Sequence, residues 1–207
     1  MSHRSSPELL VLHAVRILGF APTTSIAHRY DLTIPITEEV LGDDEARGWV
    51  TRSTFAELTG WSLTDSGRQE NERRLRVERD LVDPGARLSP LHGQFRGLNA
   101  RLLRAVTDWQ LYAVDGRLVP NDHSNVGRDA ATLDELAAIA DGLRELQVGL
   151  SRLLSRFDGY HPRFVAALGR ARAGAPAFVD RTDVDSCHRV WFELHEDLIA
   201  TLGLTRD

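Results

Sequence analysis

The stretch Gly48 to Arg68, GWVTRSTFAELTGWSLTDSGR, constrains the fold of this chain more than any other. Gly48 reads as a helix C-cap that frees the chain to turn. Trp49 and Val50 follow it with the aromatic and β-branched side chains that favour a strand. A second short strand is expected at Trp61 to Leu63. Between the two lie ten residues rich in Thr and Ser, from Thr51 to Gly60, too polar for a core, which read as the loop of an extended hairpin. Thr64 falls where a helix N-cap belongs, its hydroxyl placed to accept from an orphan backbone N–H, and Asp65 adds favourable charge in the first turn.

Three helices are expected ahead of this hairpin. Pro7 to Leu18 carries Leu9, Leu10, Leu12, Val15, Ile17 and Leu18 at close to helical spacing, and Gly19 ends it. Pro22 to Tyr30 opens with Thr23, Thr24 and Ser25 as caps and carries Ile26 and Ala27, enough for a short second helix. Thr33 to Arg47 has Pro35 in its first turn, where a missing N–H costs nothing, and turns Ile36, Val40, Leu41 and Ala46 inward. Three helices followed by a hairpin is the order of a winged helix-turn-helix, with the hairpin as wing and the third helix as recognition helix.

The second wing strand runs into a Leu-Thr-x-x-Gly helix start formed by Leu63, Thr64 and Gly67, with Arg68 next. On these residues the chain resembles the winged-helix transcriptional regulators of the MarR and PadR type, over about residues 8 to 80. Beyond Asp83 it looks like the all-helical C-terminal regions of actinobacterial regulators of this kind. The resemblance implies a homodimer that binds double-stranded DNA. The family's acidic-then-basic wing pair, Asp-x-Arg, is absent, and Arg52 stands alone among Thr and Ser.

Charge restricts which residues could serve such a role. Residues 1 to 65 hold five Arg against nine Asp or Glu. The expected recognition helix carries Glu38, Glu39, Asp43, Asp44 and Glu45 beside Arg47 alone, a poor match to phosphate. The expected DNA contacts are Thr23, Thr24 and Ser25 on the second helix and Thr33 and Thr37 at the N-terminus of the third, where side chains reach base edges. Arg29, Arg52, Arg68 and Arg73, with Arg74, are the phosphate candidates. The plainer reading of each arginine is a solvated surface with local ion pairs.

Ser66 to Leu81, SGRQENERRLRVERDL, is charged enough to be an exposed connecting helix, and Asp83-Pro84-Gly85 breaks it. The break divides the chain into a winged-helix domain, residues 1–82, and a helical dimerisation and effector domain, residues 83–207. In the latter, apolar stripes mark helices over Ser89 to Tyr112 and Ala130 to Phe157. Pro162 to Ala173 and Val184 to Leu202 supply a third and a fourth. The expected fold is mainly α with a small β-hairpin wing, the C-terminal part being four-helix-like or pairing across a dimer axis. The 207 residues with 42% hydrophobic content suffice for two small domains.

No apolar run approaches the roughly 20 residues that span a bilayer, and Met1 to Pro7 leads into no signal-peptide core, so a cytoplasmic chain without a membrane partner is expected. One cysteine, Cys187, rules out an intrachain disulfide and a multi-cysteine zinc site.

The polar groups most open to a ligand lie in the second half. Asn121, Asp122 and His123 sit in a long loop between its first two helices, where function concentrates. His188 and His195 are seven residues apart on one helix face, with Trp191 between them. With Trp109, Tyr160 and His161 these residues read as an effector pocket for a small molecule of unspecified identity, or alternatively as core histidines bonded to neighbouring helices. Zinc would have to gather His123, His188, His195 and Glu196, and no His-x-x-x-His or HExxH pair marks them. No nucleophile elbow, Walker loop or dinucleotide glycine pattern occurs, so neither an enzyme nor a cofactor is expected.

The leading expectation is thus a ligand-responsive transcriptional regulator, its ligand shifting the spacing of two DNA-binding modules. A second is a winged-helix interaction module that no longer binds DNA and docks a protein through its acidic third helix. A third is a metal-dependent enzyme.

Overall fold

Helix α1, Pro7–Leu18, is defined by its two ends. Ser6 caps it by accepting from the Leu9 N–H at 3.4 Å, Pro7 fills the first turn, and Gly19 closes it at φ 77°. The computed structural model describes residues 2–55, 57–114 and 116–204. These are mainly helical, 68%, with small two-stranded antiparallel hairpins. No helix among them is long and apolar enough to cross a membrane. The chain divides into two compact units. One takes Met1–Ala86 with Arg152–Arg156 and His195–Asp207, and the other takes Arg87–Ser151 with Phe157–Leu194. The reading that assigned all of 83–207 to one domain had no place for these returning segments.

In the first unit α1 is followed by α2 (Thr23–Arg29), α3 (Ile34–Ala46), β1 (Val50–Phe55), β2 (Leu58–Leu63) and α4 (Asp65–Val82). Val11, Leu12, Ala14 and Val15 of α1 form the core with Ala21, Ile26, Leu41, Val50 and Trp61. The expected ten-residue wing loop does not exist as such. β1 and β2 pair from Val50↔Leu63 out to Phe55↔Leu58, and Ala56 of the turn lies outside the described residues. The run was misread because it is polar. A two-stranded hairpin exposed along most of its length needs few apolar residues, and Thr51, Thr54 and Thr59 favour strands by β-branching. Thr54 and Thr59 also bond across the strands, Oγ1 to Oγ1, at 2.9 Å. An unforeseen pairing joins Ala21, between α1 and α2, to Trp61. The Trp61 N–H donates to the Ala21 carbonyl at 2.9 Å, and the Ala21 N–H returns a bond at 3.2 Å.

The Leu63-Thr64-x-x-Gly67 corner has a clear physical basis. Thr64 Oγ1 accepts from the Gly67 N–H at 3.0 Å and donates to the Gly48 carbonyl at 2.6 Å, locking the start of α4 to the end of α3. A Cβ on Gly67 would lie 1.8 Å from the Trp49 carbonyl oxygen, so only glycine lets the helix approach this closely.

The first unit also buries a charged network, which was not foreseen. His13 Nε2 lies 3.0 Å from Asp197 Oδ1, and its Nδ1 lies 3.3 Å from Asn71 Oδ1. Arg156 Nε donates to Asp197 at 3.4 Å, Nη2 to Thr201 Oγ1 at 2.8 Å, and Nη1 to Glu78 and, at 3.3 Å, to Ser5. The His13, Arg156 and Asp197 side chains have no exposed surface. Burial by itself would raise the Asp197 carboxyl. The charges of His13 and Arg156, with the His13 bond and Arg29 beyond, outweigh it and hold the group at about 2.

The second unit contains α5 (Leu88–Gln110), β3 (Leu111–Val114), β4 (Arg117–Pro120), α6 (Val126–Ser151), α7 (Tyr160–Arg172), the short α8 (Ala177–Asp180) and the first half of α9 (Cys187–Leu202). α6 packs against α5 and α7. Phe95, Phe164 and Trp191 form an aromatic centre, Trp191 stacking on Phe95 at 5.2 Å and meeting Phe164 edge-on at 6.0 Å. Four expectations need correction here. The expected α5 stops at Gln110, because Leu111 to Val114 pairs with Arg117 to Pro120. Most of the long loop is therefore a hairpin, built on β-formers such as Tyr112, Val114 and Val119 and turned by Gly116 at φ 77°. α6 begins at Val126, where Asn125 bonds the Arg128 N–H at 3.0 Å, and stops at Ser151, not Phe157. α9 begins at Cys187, not Val184, because the Ser186 hydroxyl accepts from the Arg189 N–H at 3.1 Å.

Candidate nucleic-acid interface

The surface most able to meet DNA consists of the starts of α2 and α3 and the hairpin after them. Thr24 and Ser25 are exposed in the first turn of α2, which holds no acid. Thr23 is turned aside, its Oγ1 accepting from Trp61 Nε1 at 3.1 Å. Thr33 is exposed at the cap position of α3 and makes no capping bond with its side chain. The first turn of α3 also lacks acids, and Ile34 and Ile36 stand exposed there at 38% and 41%. Such a helix start combines a positive dipole end with apolar groups suited to a thymine methyl.

Thr37 cannot take the base-reading role expected of it. It is fully buried, and its hydroxyl donates to the Thr33 carbonyl at 3.0 Å. Leu41 and Asp44 share that inward face. Burial pushes the Asp44 carboxyl up to about 6, against the pull of Arg74 and Arg47. The acids of α3 left on the surface are Glu38, Glu39, Asp43 and Glu45, with Asp43 paired to Arg47 at 3.1 Å. They lie after the first turn, away from the helix end that would read bases.

The expected phosphate contacts separate into two groups. Arg52 is exposed on β1 directly opposite Trp61, its guanidinium 5.6 Å from the indole centroid. Arg68, in the first turn of α4, is 54% exposed and only 3.9 Å from Glu196. Both residues are exposed. Arg29 instead lies over the Tyr30 ring at 4.6 Å and adds its charge to the buried Asp197. Arg73 is held in a fork by Glu70 at 2.7 and 2.8 Å. Arg74 shares Glu70 at 2.7 Å and covers Trp49. The Arg73 bond, with Arg74 opposing burial, holds the Glu70 carboxyl down at about 2.

The expected effector residues do not line one cavity. Trp109 is buried and meets His123 at 4.6 Å between rings. Asn121 donates to the Trp109 carbonyl at 2.9 Å and to Asp129 at 3.0 Å, and His123 Nδ1 lies 3.0 Å from the same carboxylate. These bonds pin the end of the second hairpin to the start of α6. Asp122 is occupied by the Ser124 hydroxyl and N–H, which hold its carboxyl below the usual range. Tyr160 is fully buried, with its hydroxyl donating to the Glu193 carbonyl at 3.4 Å, and Trp191 is core, donating to Asn99 at 2.9 Å. The His161 N–H donates to Gln147 Oε1 at 2.7 Å. Burial and then Arg144 lower its imidazole. His188 is half-buried in the second unit, whereas His195 belongs to the first. Among the described residues no group of three His, Cys, Asp or Glu could hold a metal ion. The Cys187 thiol is buried and pushed up to about 12, so it is unreactive.

An open cavity of the second unit lies elsewhere, against α5, β3 and α6, and its volume is about 490 Å³. Its signal was present in the charged faces of α5 and α6, which apolar periodicity passes over.

The chain matches no known protein family, no curated protein and no solved structure.

Proposed function

We propose that the first unit is a winged helix-turn-helix module and that the chain is a ligand-responsive transcriptional regulator, binding double-stranded DNA as a homodimer. The observation that carries this reading is the order α1, bridge at Ala21, α2, α3, β1, β2, α4, in which the bridge adds a third strand segment to the hairpin. Thr24, Ser25, Thr33, Ile34 and Ile36 present two helix starts whose first turns hold no acid, with Arg52 on the wing and Arg68 beside it for phosphate. Contact is made through helix starts and wing, with the acidic part of α3 held off the backbone. Exposed Leu103, Val148, Val165 and Phe192 of the second unit supply apolar surface for a homodimer. A ligand in that unit shifts the population of dimers whose modules fit two half-sites.

The test is a gel shift at low salt with the chain's own upstream DNA. The expected result is sequence-specific retention that is weakened in Arg52→Ala and in Arg68→Ala. No retention would exclude the reading. In that case the exposed Glu38, Glu39, Asp43 and Glu45 favour a second one, in which α3 docks a basic protein surface.

A further inference from the structure

Helix α5 places Arg101, Arg104, Ala105 and Asp108 on one face, at the i, i+3, i+4, i+7 spacing of a helical stripe. Helix α6 places Arg128, Ala131, Thr132 and Glu135 at the same spacing. The two stripes face one cleft of about 490 Å³, closed by Leu111, Tyr112 and Ala113 of β3. Ala105 and Ala131, at the middle of each stripe, leave the space that longer side chains would fill. The volume suits a small molecule, and the wall mixes short apolar groups with a few charges, as ligand sites do.

The three guanidiniums differ in what already holds them. Arg101 is forked onto Glu135, Nε at 2.7 Å and Nη2 at 3.0 Å, which fixes and neutralises both. Arg128 lies over the Tyr112 ring, 4.0 Å from its centroid, and makes no ion pair with another described residue. A cation held against an aromatic face keeps its N–H edge available for an anion. Arg104 is exposed, and its charge reaches Glu135 without closing an ion pair. With three Arg against Asp108 and Glu135, the cleft carries a formal charge of +1 inside a chain of net −5. One negative charge balances it, whereas a phosphate dianion would meet the two carboxylates in excess.

We infer that this cleft binds a small organic monocarboxylate, its carboxylate on Arg104 and Arg128 and its apolar body against Ala105, Ala131 and Leu111. The inference rests on reading the second unit as the effector module, but the site is tested without DNA.

The experiment is calorimetric titration of the full chain with benzoate, with hexanoate, with the neutral isostere benzamide and with inorganic phosphate. Benzoate or hexanoate is expected to saturate one site with a Kd tighter than about 1 mM. Arg104→Gln and Arg128→Gln are each expected to weaken it about tenfold, the effect of one charge-assisted contact. Ala131→Leu, which fills the cleft and removes no charge, is expected to abolish it. Four results would overturn the proposal: no saturable binding of either carboxylate, equal binding of benzamide, equal binding of phosphate alone, or carboxylate binding unchanged in both arginine variants. DNA retention of the same preparations reads the regulator proposal separately.

Discussion

Two buried carboxylate clusters, one in each unit, are held in opposite ways. In the first, Asp197 and Glu78 are met by Arg156, whose side chain has no exposed surface, and His13 is equally enclosed. In the second, the buried Glu193 is met by Arg163 at 2.7 Å and Arg189 at 3.5 Å, and these guanidiniums are 26% and 33% exposed. A guanidinium that reaches water keeps much of its hydration when its partner is lost. One that is sealed in does not. The first unit therefore depends on ions drawn from distant parts of the chain, with His13 and Asp197 separated by 184 residues.

The largest expected effect follows from that contrast. Arg156→Met removes the sealed guanidinium that Asp197 and Glu78 share, leaving Asp197 with His13 and Glu78 with His3, and is expected to cost about 3–5 kcal/mol, read by hydrogen exchange as faster opening of α1 and α4. Arg163→Met in the second unit is expected to cost about 1 kcal/mol or less, seen at α7, because Arg189 and solvent remain for Glu193. Equal costs would break the comparison.

Gly67→Ala separates backbone fit from charge within the first unit, since it leaves the network intact. Its added methyl must displace the Trp49 carbonyl, with an expected loss of about 1–3 kcal/mol in urea unfolding.

Smaller effects concern pH. Asp197 is held down at about 2, so its contribution is present above the ordinary carboxylate range and is lost as pH falls from about 4 toward 2. Asp44 works in reverse. Its carboxyl is raised to about 6, so the folded state binds the proton more tightly, and stability falls as pH rises from about 4 through 6. Asp44→Asn is expected to flatten that fall and to gain about 2 kcal/mol at pH 7 relative to pH 4. A variant that follows the wild-type pH curve would show that the Asp44 proton is not the cause.

Much of the first unit was legible in the sequence, because local rules write it. Ser6, Gly19, Thr64 and Gly67 mark helix ends by capping chemistry, and α1, α3 and α4 fall within a few residues of their expected bounds. The extent of the first hairpin was not legible, since strands with little core contact carry no hydrophobic alternation. The bridge at Ala21 and the partners of His13 were hidden for a different reason. They depend on chain segments far apart, and single residues such as Arg156 and Asp197 look like ordinary surface charges until those segments meet. The candidate site divides along the same line. Thr24, Ser25, Arg52 and Arg68 are exposed, whereas Thr37 is buried, Arg29 lies over Tyr30 and the exposed Arg73 is forked onto Glu70, and none of these placements follows from the local sequence.

In the proposed regulator a small number of arginines around α2, α3 and the first hairpin, Arg52 foremost, contact phosphate. The salt dependence of DNA affinity tests this most directly. For the dimer on its own upstream duplex, log K is expected to fall linearly with log salt, with a slope near −4 if only Arg52 and Arg68 of the two protomers release counterions, about −0.9 for each contact. Arg52→Ala, which removes one contact from each protomer, should make the slope less steep by about two. An affinity that is absent at low salt, or a slope that Arg52→Ala leaves unchanged, would contradict the account.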